Sequence, residues 1–471
     1  MNKLERKNNE LNKLQNIKYL APPVEILDLD INQNDITVLG KTTYHSYLQD
    51  KRRAFGINSE DRNRHIYAIG KSGVGKSKFL ESLIRQDIVK KEAVIVIDPH
   101  GDLIEDVLDF IPGDLANEVC LIDPSDEKYP VAFNPLANVA EGFKYKVTQD
   151  LVEVMAKQFK DSWTSKLEHV YRFSILALLD HKGASLADLI PLLTDKDFRQ
   201  EIIEHIKDDW VKKFWSTEFS AWSQKFDSEA ITPLVNKIGQ FLSDPVLRNI
   251  FTQRENKIDF YSLMKDRKIV LINLSKGYLG EENSSFFGSI FLTKIKQAGM
   301  ERAQIPKSER NKVYLFVDEF HNLVSQTMES LLAESRKYGL SLTLAHQYLG
   351  QLQESTQEAI FGNVNTIISF RISSLDAEIL NKEFVPHLSP KDFINLPQME
   401  FYIKSIVNGE AIQPFSARSL YVQNENNPHL TKEIRELSRK NYSSKLNAEA
   451  RIKREEKEKA QDKDAKIEPI I

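Results

Sequence analysis

The sequence holds a single cysteine, Cys120, among its 471 residues, and that scarcity excludes an internal disulfide and any cysteine-rich metal site. Cys120 lies in the apolar run Val119-Cys120-Leu121-Ile122, where it reads as a small buried hydrophobe in a reducing, cytoplasmic setting. Long apolar runs are missing as well: no stretch approaches the roughly 20 apolar residues of a membrane span. The opening residues, Met1 to Lys18, are polar and charged without an apolar centre, so they do not read as a secretory signal. Charge of one sign is also scarce. The formal net charge is only −4, so no global basic field announces nucleic acid, although a narrow channel needs only local lysines and arginines. What remains is a folded composition: 41% hydrophobic residues with 25 Phe and 15 Tyr, in a chain long enough for two or three domains.

Patterning along the chain divides it. Residues 1–30 form a polar N-terminal segment ended by Ala21-Pro22-Pro23. From 31 to 143 short strands and helices alternate. Strands are expected around Ile36–Gly40 and at His65–Ile69, Ala93–Ile97 and Val119–Ile122, with a helix over Lys76–Lys90 that turns Phe79, Leu80, Leu83, Ile84 and Ile88 to one side. Short continuous apolar runs are what strands buried on both faces of a parallel sheet require. Residues 144–260 change to helical periodicity and contain all four tryptophans, Trp163, Trp210, Trp215 and Trp222, read as core residues of an inserted all-α domain. Strands resume over 261–425, at Ile269–Leu274, Val313–Val317, Ser341–Ala345 and Thr366–Phe370. The last stretch, 426–471, is a charged tail whose alternating Lys and Glu over Arg451–Lys466 suit a solvated segment or an exposed helix. The fold class expected is α/β, one mainly parallel sheet interrupted by an all-α insertion.

The chemistry starts at Gly70-Lys71-Ser72-Gly73-Val74-Gly75-Lys76-Ser77. Glycines let such a loop wrap so that successive N–H groups point at phosphate oxygens, and the following helix adds its N-terminal dipole. Lys76 is placed to reach the β- and γ-phosphates and Ser77 to ligate Mg²⁺, so ATP with Mg²⁺ is the expected cofactor of a P-loop NTPase. The second part is Val313-Tyr314-Leu315-Phe316-Val317-Asp318-Glu319, an apolar strand releasing two acids at its C-terminal end. Asp318 suits the magnesium shell, and Glu319 the orienting and deprotonation of water. The third is Leu342-Thr343-Leu344-Ala345-His346-Gln347, where Gln347 is the first candidate to contact a γ-phosphate and His346 the second. Arg336 and Arg371 are candidates for an arginine acting on a neighbouring copy's nucleotide, and each reads equally well as a surface ion pair. Lys160, Lys166, Lys212 and Lys213 are basic positions in the helical segment, but Asp208 and Asp209 lie beside them, so a solvated face is the plainer reading.

Beyond these motifs the chain carries Arg64-His65, Ile97-Asp98-Pro99-His100-Gly101-Asp102, Val317-Asp318-Glu319-Phe320, Ser335-Arg336-Lys337-Tyr338-Gly339-Leu340 and Gly362-Asn363-Val364. Together they resemble the HerA/FtsK superfamily of hexameric DNA translocases. The branch most resembled is that of TraG/TraD-type coupling ATPases of type IV secretion, with their soluble TraM-recognition-domain relatives. The resemblance runs from about Phe55 to Leu420, and its all-α insertion explains the long separation of Lys76 from Asp318. It implies a RecA-like core, a ring of six copies with sequence-independent DNA in its channel, and a relaxase or secretion-channel protein as partner. It also implies that Arg336 acts across the subunit interface and that Arg64 lies by the nucleotide. Membrane-anchored members carry an N-terminal transmembrane pair that this sequence lacks, so a cytoplasmic protein, or one peripheral at the inner face of the membrane, is expected. A cytosolic translocase serving DNA processing and a nucleotide-controlled scaffold are the alternatives. Glu319, Gln347 and Arg336 together speak against the scaffold.

Overall fold

In the computed structural model, residues 17–44, 53–159, 162–219, 221, 231–323 and 326–444 are described. The strands in chain order are β1 Ile36–Thr42, β2 Ala54–Asn58, β3 Ile66–Ile69, β4 Ala93–Asp98, β5 Val119–Ile122, β6 Ile269–Asn273, β7 Val313–Val317, β8 Leu340–His346, β9 Thr366–Ser369, β10 Glu400–Lys404, β11 Ile406–Val407, β12 Glu410–Ala411 and β13 Phe415–Arg418. The chain forms two compact units. One takes Met1–Val119, Tyr261–Ile272 and Ala298–Lys432, the other Cys120–Phe260, Asn273–Gln297 and Glu433–Ile471.

The first unit is built on a sheet in the order β2-β1-β13-β10-β9-β3-β8-β7-β4-β6. Strands β9, β3, β8, β7 and β4 run parallel. Every residue of β3, β4, β7 and β8 is buried, as their unbroken apolar runs require. The helix Lys76–Val89 covers the sheet with Phe79, Leu80, Leu83, Ile84 and Ile88, all fully buried. Beside them Arg62 and Asp87, both fully buried, pair at 2.6 Å, and the guanidinium lies 3.8 Å from the centre of the Tyr314 ring. The other half of the sheet, in which sequence patterning anticipated β1 and β9 but not β2, β10 or β13, is antiparallel: β10 pairs with β9 and β13, and β1 with β13 and β2. β13 is only four residues long and β10 carries charges at both ends, so neither presents an unbroken apolar run.

The second unit is mostly helical. Its helices include Lys144–Phe159, Ser165–Asp180, Lys196–His205, Thr232–Ser243 and Pro245–Phe251. Side chains of Thr164, Asp195, Asp208 and Asp244 accept the first free N–H groups of the helices they precede. Phe241, Phe251 and Phe286 pack together in its core with ring centres 5.1 to 5.7 Å apart, Phe251 and Phe286 stacked and Phe241 tilted against both. Trp215 is fully buried and donates to the Phe173 carbonyl at 3.2 Å. Trp210, expected in the core, is instead 74% exposed with the Lys213 ammonium over its ring, because the Asp208 cap turns it outward on a short first turn. Lys212 and Lys213 are exposed there, and Asp208 and Asp209 open the same short helix. Lys160, Trp222, Met1–Asn16 and the run Arg451–Lys466 lie outside the described residues. The charged final segment opens with a helix, Pro428–Tyr442.

Candidate functional site

Parallel order puts the C-terminal ends of β3, β8, β7 and β4 side by side along one edge of the sheet. The glycine-rich loop leaves β3, Gln347 follows β8, Asp318-Glu319 follow β7, and Asp98 ends β4. Distant segments therefore deliver the phosphate loop, the acids and the glutamine to one place, as open α/β sheets do for their ligands.

In the loop Gly73 and Gly75 have φ of 74° and 112°, a region closed to most side chains. The outward side of Gly73 is open space. Lys76 is buried and folds back, donating to the carbonyls of Gly70 at 2.7 Å and Lys71 at 3.3 Å. Burial pulls its ammonium below the ordinary lysine range, opposed by Glu319 and Asp318. The Ser77 hydroxyl donates to Asp318 Oδ2 at 3.0 Å. Val74 and Ser72 complete the loop, and Arg371, at the end of β9, accepts the Lys71 N–H through its carbonyl at 2.9 Å while its side chain is exposed.

The acids differ in state. Burial first, then the charges of Asp98 and Glu319, push the Asp318 carboxyl up to about 6, against the pull of Lys76 and Ser77. Burial pushes Glu319 up too, but contacts from His321, Gln347 and Lys76 outweigh it and leave the carboxyl below its usual range. Gln347 donates to Glu319 Oε1 at 3.0 Å. Glu319 itself sits at φ 44°, a left-handed conformation that only surrounding structure can hold. Asp98 accepts from the N–H groups of His100 and Leu103, at 2.8 and 2.9 Å, and so ties β4 to the following helix.

These groups fit a magnesium–nucleotide. The buried ammonium makes do with loop carbonyls, the cradle is open at Gly73, and Asp318 is crowded by two further carboxyls whose repulsion a divalent cation would relieve. Among the described residues no group of three or more His, Cys, Asp or Glu could hold a metal alone. That agrees with magnesium's habit of taking one or two protein ligands and the rest from phosphate and water. A cavity of about 630 Å³ opens beside the loop, lined by Lys71, Ser72, Gln347, Tyr348 and Asp376.

His346, the second candidate for phosphate contact, is buried with its Nε2 2.5 Å from the Tyr67 hydroxyl, and burial pulls it down to about 3; it faces the core. Arg64 and Arg336 are not at this edge. They precede β3 and β8, at the opposite ends of those strands, and line a common cavity of about 890 Å³ with Asp61, Lys337, Asn408 and Gly409. Arg64 Nε has no hydrogen-bond partner there. The Arg64 position assigned beside the nucleotide is thus remote from the phosphate loop of its own chain, because β3 separates them. Three contributors escaped the sequence: Met399, whose N–H donates to the Val74 carbonyl at 2.8 Å; Gln398, which donates to the Gly73 carbonyl at 3.0 Å; and His321, 3.3 Å from Glu319. Only the proximity of His321 to the acid pair in sequence could have flagged any of them.

Fold and site define a P-loop NTPase with a RecA-like sheet and a helical domain. The profile of the type IV secretion-system coupling protein DNA-binding domain matches residues 54–383, and the chain belongs to that family. Among solved structures it is similar to the bacterial conjugative coupling protein TrwBdeltaN70, with a TM-score of 0.59 and 14% identity over 87% of this chain and 96% of that one. It is also similar to plasmid coupling protein TrwB in complex with a non-hydrolysable ATP analogue, with a TM-score of 0.60 and 15% identity over 87% and 95%. A third is VirB4 of Thermoanaerobacter pseudethanolicus, with a TM-score of 0.55 and 13% identity over 83% and 98%. Identities this low support the fold alone. No curated protein matches by sequence. Among the described residues no helix is long and apolar enough to cross a membrane.

Proposed function

We propose that the chain is an ATP-driven DNA translocase of type IV secretion, which moves DNA without reading its sequence through a ring of six copies. The observation that carries this is the pair of contacts Ser77–Asp318 and Gln347–Glu319, which join phosphate loop, metal acid, base and sensor in one unit. Bound Mg²⁺–ATP supplies the phosphoryl group and the charge neutralisation that in-line attack by water needs. With nucleotide bound, Lys76 would leave the Gly70 and Lys71 carbonyls to hold phosphate charge, and Ser77 and Asp318 are the residues that would hold the metal. Glu319, the less proton-hungry of the two acids, orients water and takes its proton. Gln347 is bonded to Glu319 now and is placed to exchange that bond for a γ-phosphate oxygen, so occupancy would be felt at the base.

Arg64 and Arg336, side by side on the far edge of the sheet, support a site completed by the next copy, with Arg336 as its finger. Arg371 adds backbone support to the loop. DNA as the cargo rests on the family, as do a relaxase or channel protein as partners and a place at the inner face of the membrane.

Turnover of ATP should rise on adding single- or double-stranded DNA and fall at least about a hundredfold in Lys76→Ala and Glu319→Gln. Ring-forming protein whose rate is the same with and without DNA would refute translocation.

A further inference from the structure

Glu319 is held by Gln347 on one side and faced by His321 on the other. Its Oε1 accepts from Gln347, while its Oε2 faces His321 Nδ1 at 3.3 Å. That second contact falls short of a formed hydrogen bond, and neither atom has another partner, although both are buried. Two unsatisfied polar atoms facing each other at this distance need only a slight turn of the ring to bond.

The other face of the ring decides what Nδ1 carries. His321 Nε2 lies 3.0 Å from Gln351 Nε2. The orientation of the Gln351 amide is fixed independently, because its Oε1 takes the backbone N–H of Tyr348, at 3.4 Å, and a backbone N–H can only donate. The amide therefore turns its NH₂ to the ring, Nε2 accepts, and the proton of the neutral imidazole sits on Nδ1, towards Glu319. Tyr348 follows Gln347 directly, so one short loop after β8 reaches the base by two routes.

We propose that His321 is a positioning residue for Glu319, its Nδ1–H fixed by Gln351 so that the carboxylate keeps its aim when Gln347 is drawn away. A carboxylate released by Gln347 would otherwise be free to turn on a backbone already in a left-handed conformation, and misaimed bases lose rate steeply. This rests on the hydrolysis proposed above.

His321→Ala should lower kcat about tenfold with KM for ATP within about twofold, since the interaction serves the reacting geometry and not binding. His321→Asn, which can present an amide N–H where Nδ1–H stood, should restore most of that loss. Equal rates in the two variants, an unaltered kcat in His321→Ala, or a loss carried by KM would each overturn the proposal. Nitrogen NMR of the full-length wild-type chain, ¹⁵N-labelled at histidine, should find His321 protonated on Nδ1 at neutral pH. Protonation on Nε2 alone would overturn it as well. A wild-type chain with no turnover would count against the hydrolysis reading, and the tautomer would then decide this inference by itself.

Discussion

At Gly75 the backbone stands at φ 112°, and a Cβ there would lie 2.4 Å from Met399 Sδ. The conformation demands glycine, and a side chain there would also displace the Met399 thioether. Gly75→Ala should weaken ATP binding about tenfold, reflecting roughly 1–2 kcal/mol of left-handed strain in the loop; titration with a fluorescent ATP analogue checks it, and an affinity within about twofold of wild type counts against it. The same residue marks the limit of what the sequence discloses. Glycine spacing, Lys76, Ser77, Asp318, Glu319 and Gln347 were legible because each chemistry needs that residue type at that distance from a strand end. Met399, Gln398 and Gln351 were not, because loops after β8 and before β10 bring them in, and loop paths leave no periodicity in the sequence. Nothing in a methionine announces φ 69°.

At the scale of elements, β3, β4, β7 and β8 were readable for one physical reason: strands buried on both faces are unbroken apolar runs, and their ends then place the site. The rest of the antiparallel half beyond β1 and β9 was hidden because short, half-polar strands such as β13 and β10 look like loops. The joint between β3 and β8 carries its own prediction. His65, just before β3, donates from Nε2 to the Leu332 carbonyl at 3.2 Å and accepts on Nδ1, at 3.1 Å, the N–H of Leu342, the third residue of β8. Burial, with the Arg336 charge adding to it, pulls His65 down to about 4 from an ordinary 6.5. The fold thus prefers the neutral ring. Its contribution is complete above pH 6.5 and is lost as pH falls from 6.5 towards 4, in total about 3 kcal/mol. Melting curves between pH 7 and 5 should show a steeper acid loss for wild type than for His65→Asn, whose side chain does not titrate. Parallel slopes would show that His65 takes up protons equally in the folded and unfolded chain, so that folding does not disfavour its charged ring. His346, pulled down to about 3, works in the same direction in both proteins and cancels from the comparison.

At the scale of the whole chain, the site is half a site if Arg336 serves a neighbour. Mixing Arg336→Ala copies with Lys76→Ala copies should then recover a measurable part of wild-type turnover, because rings containing both can align an intact loop with an intact arginine. No recovery in rings shown by native mass spectrometry to be mixed would return Arg336 to an ordinary ion-pairing role. The two edges of the sheet have a consequence of their own. β3 and β8 carry the residues proposed to contact phosphate at one end and arginines at the other, and a buried strand hardly stretches. In a closed ring each strand would act as a push-rod between two fuel chambers, so that firing in one copy sets the timing of the next.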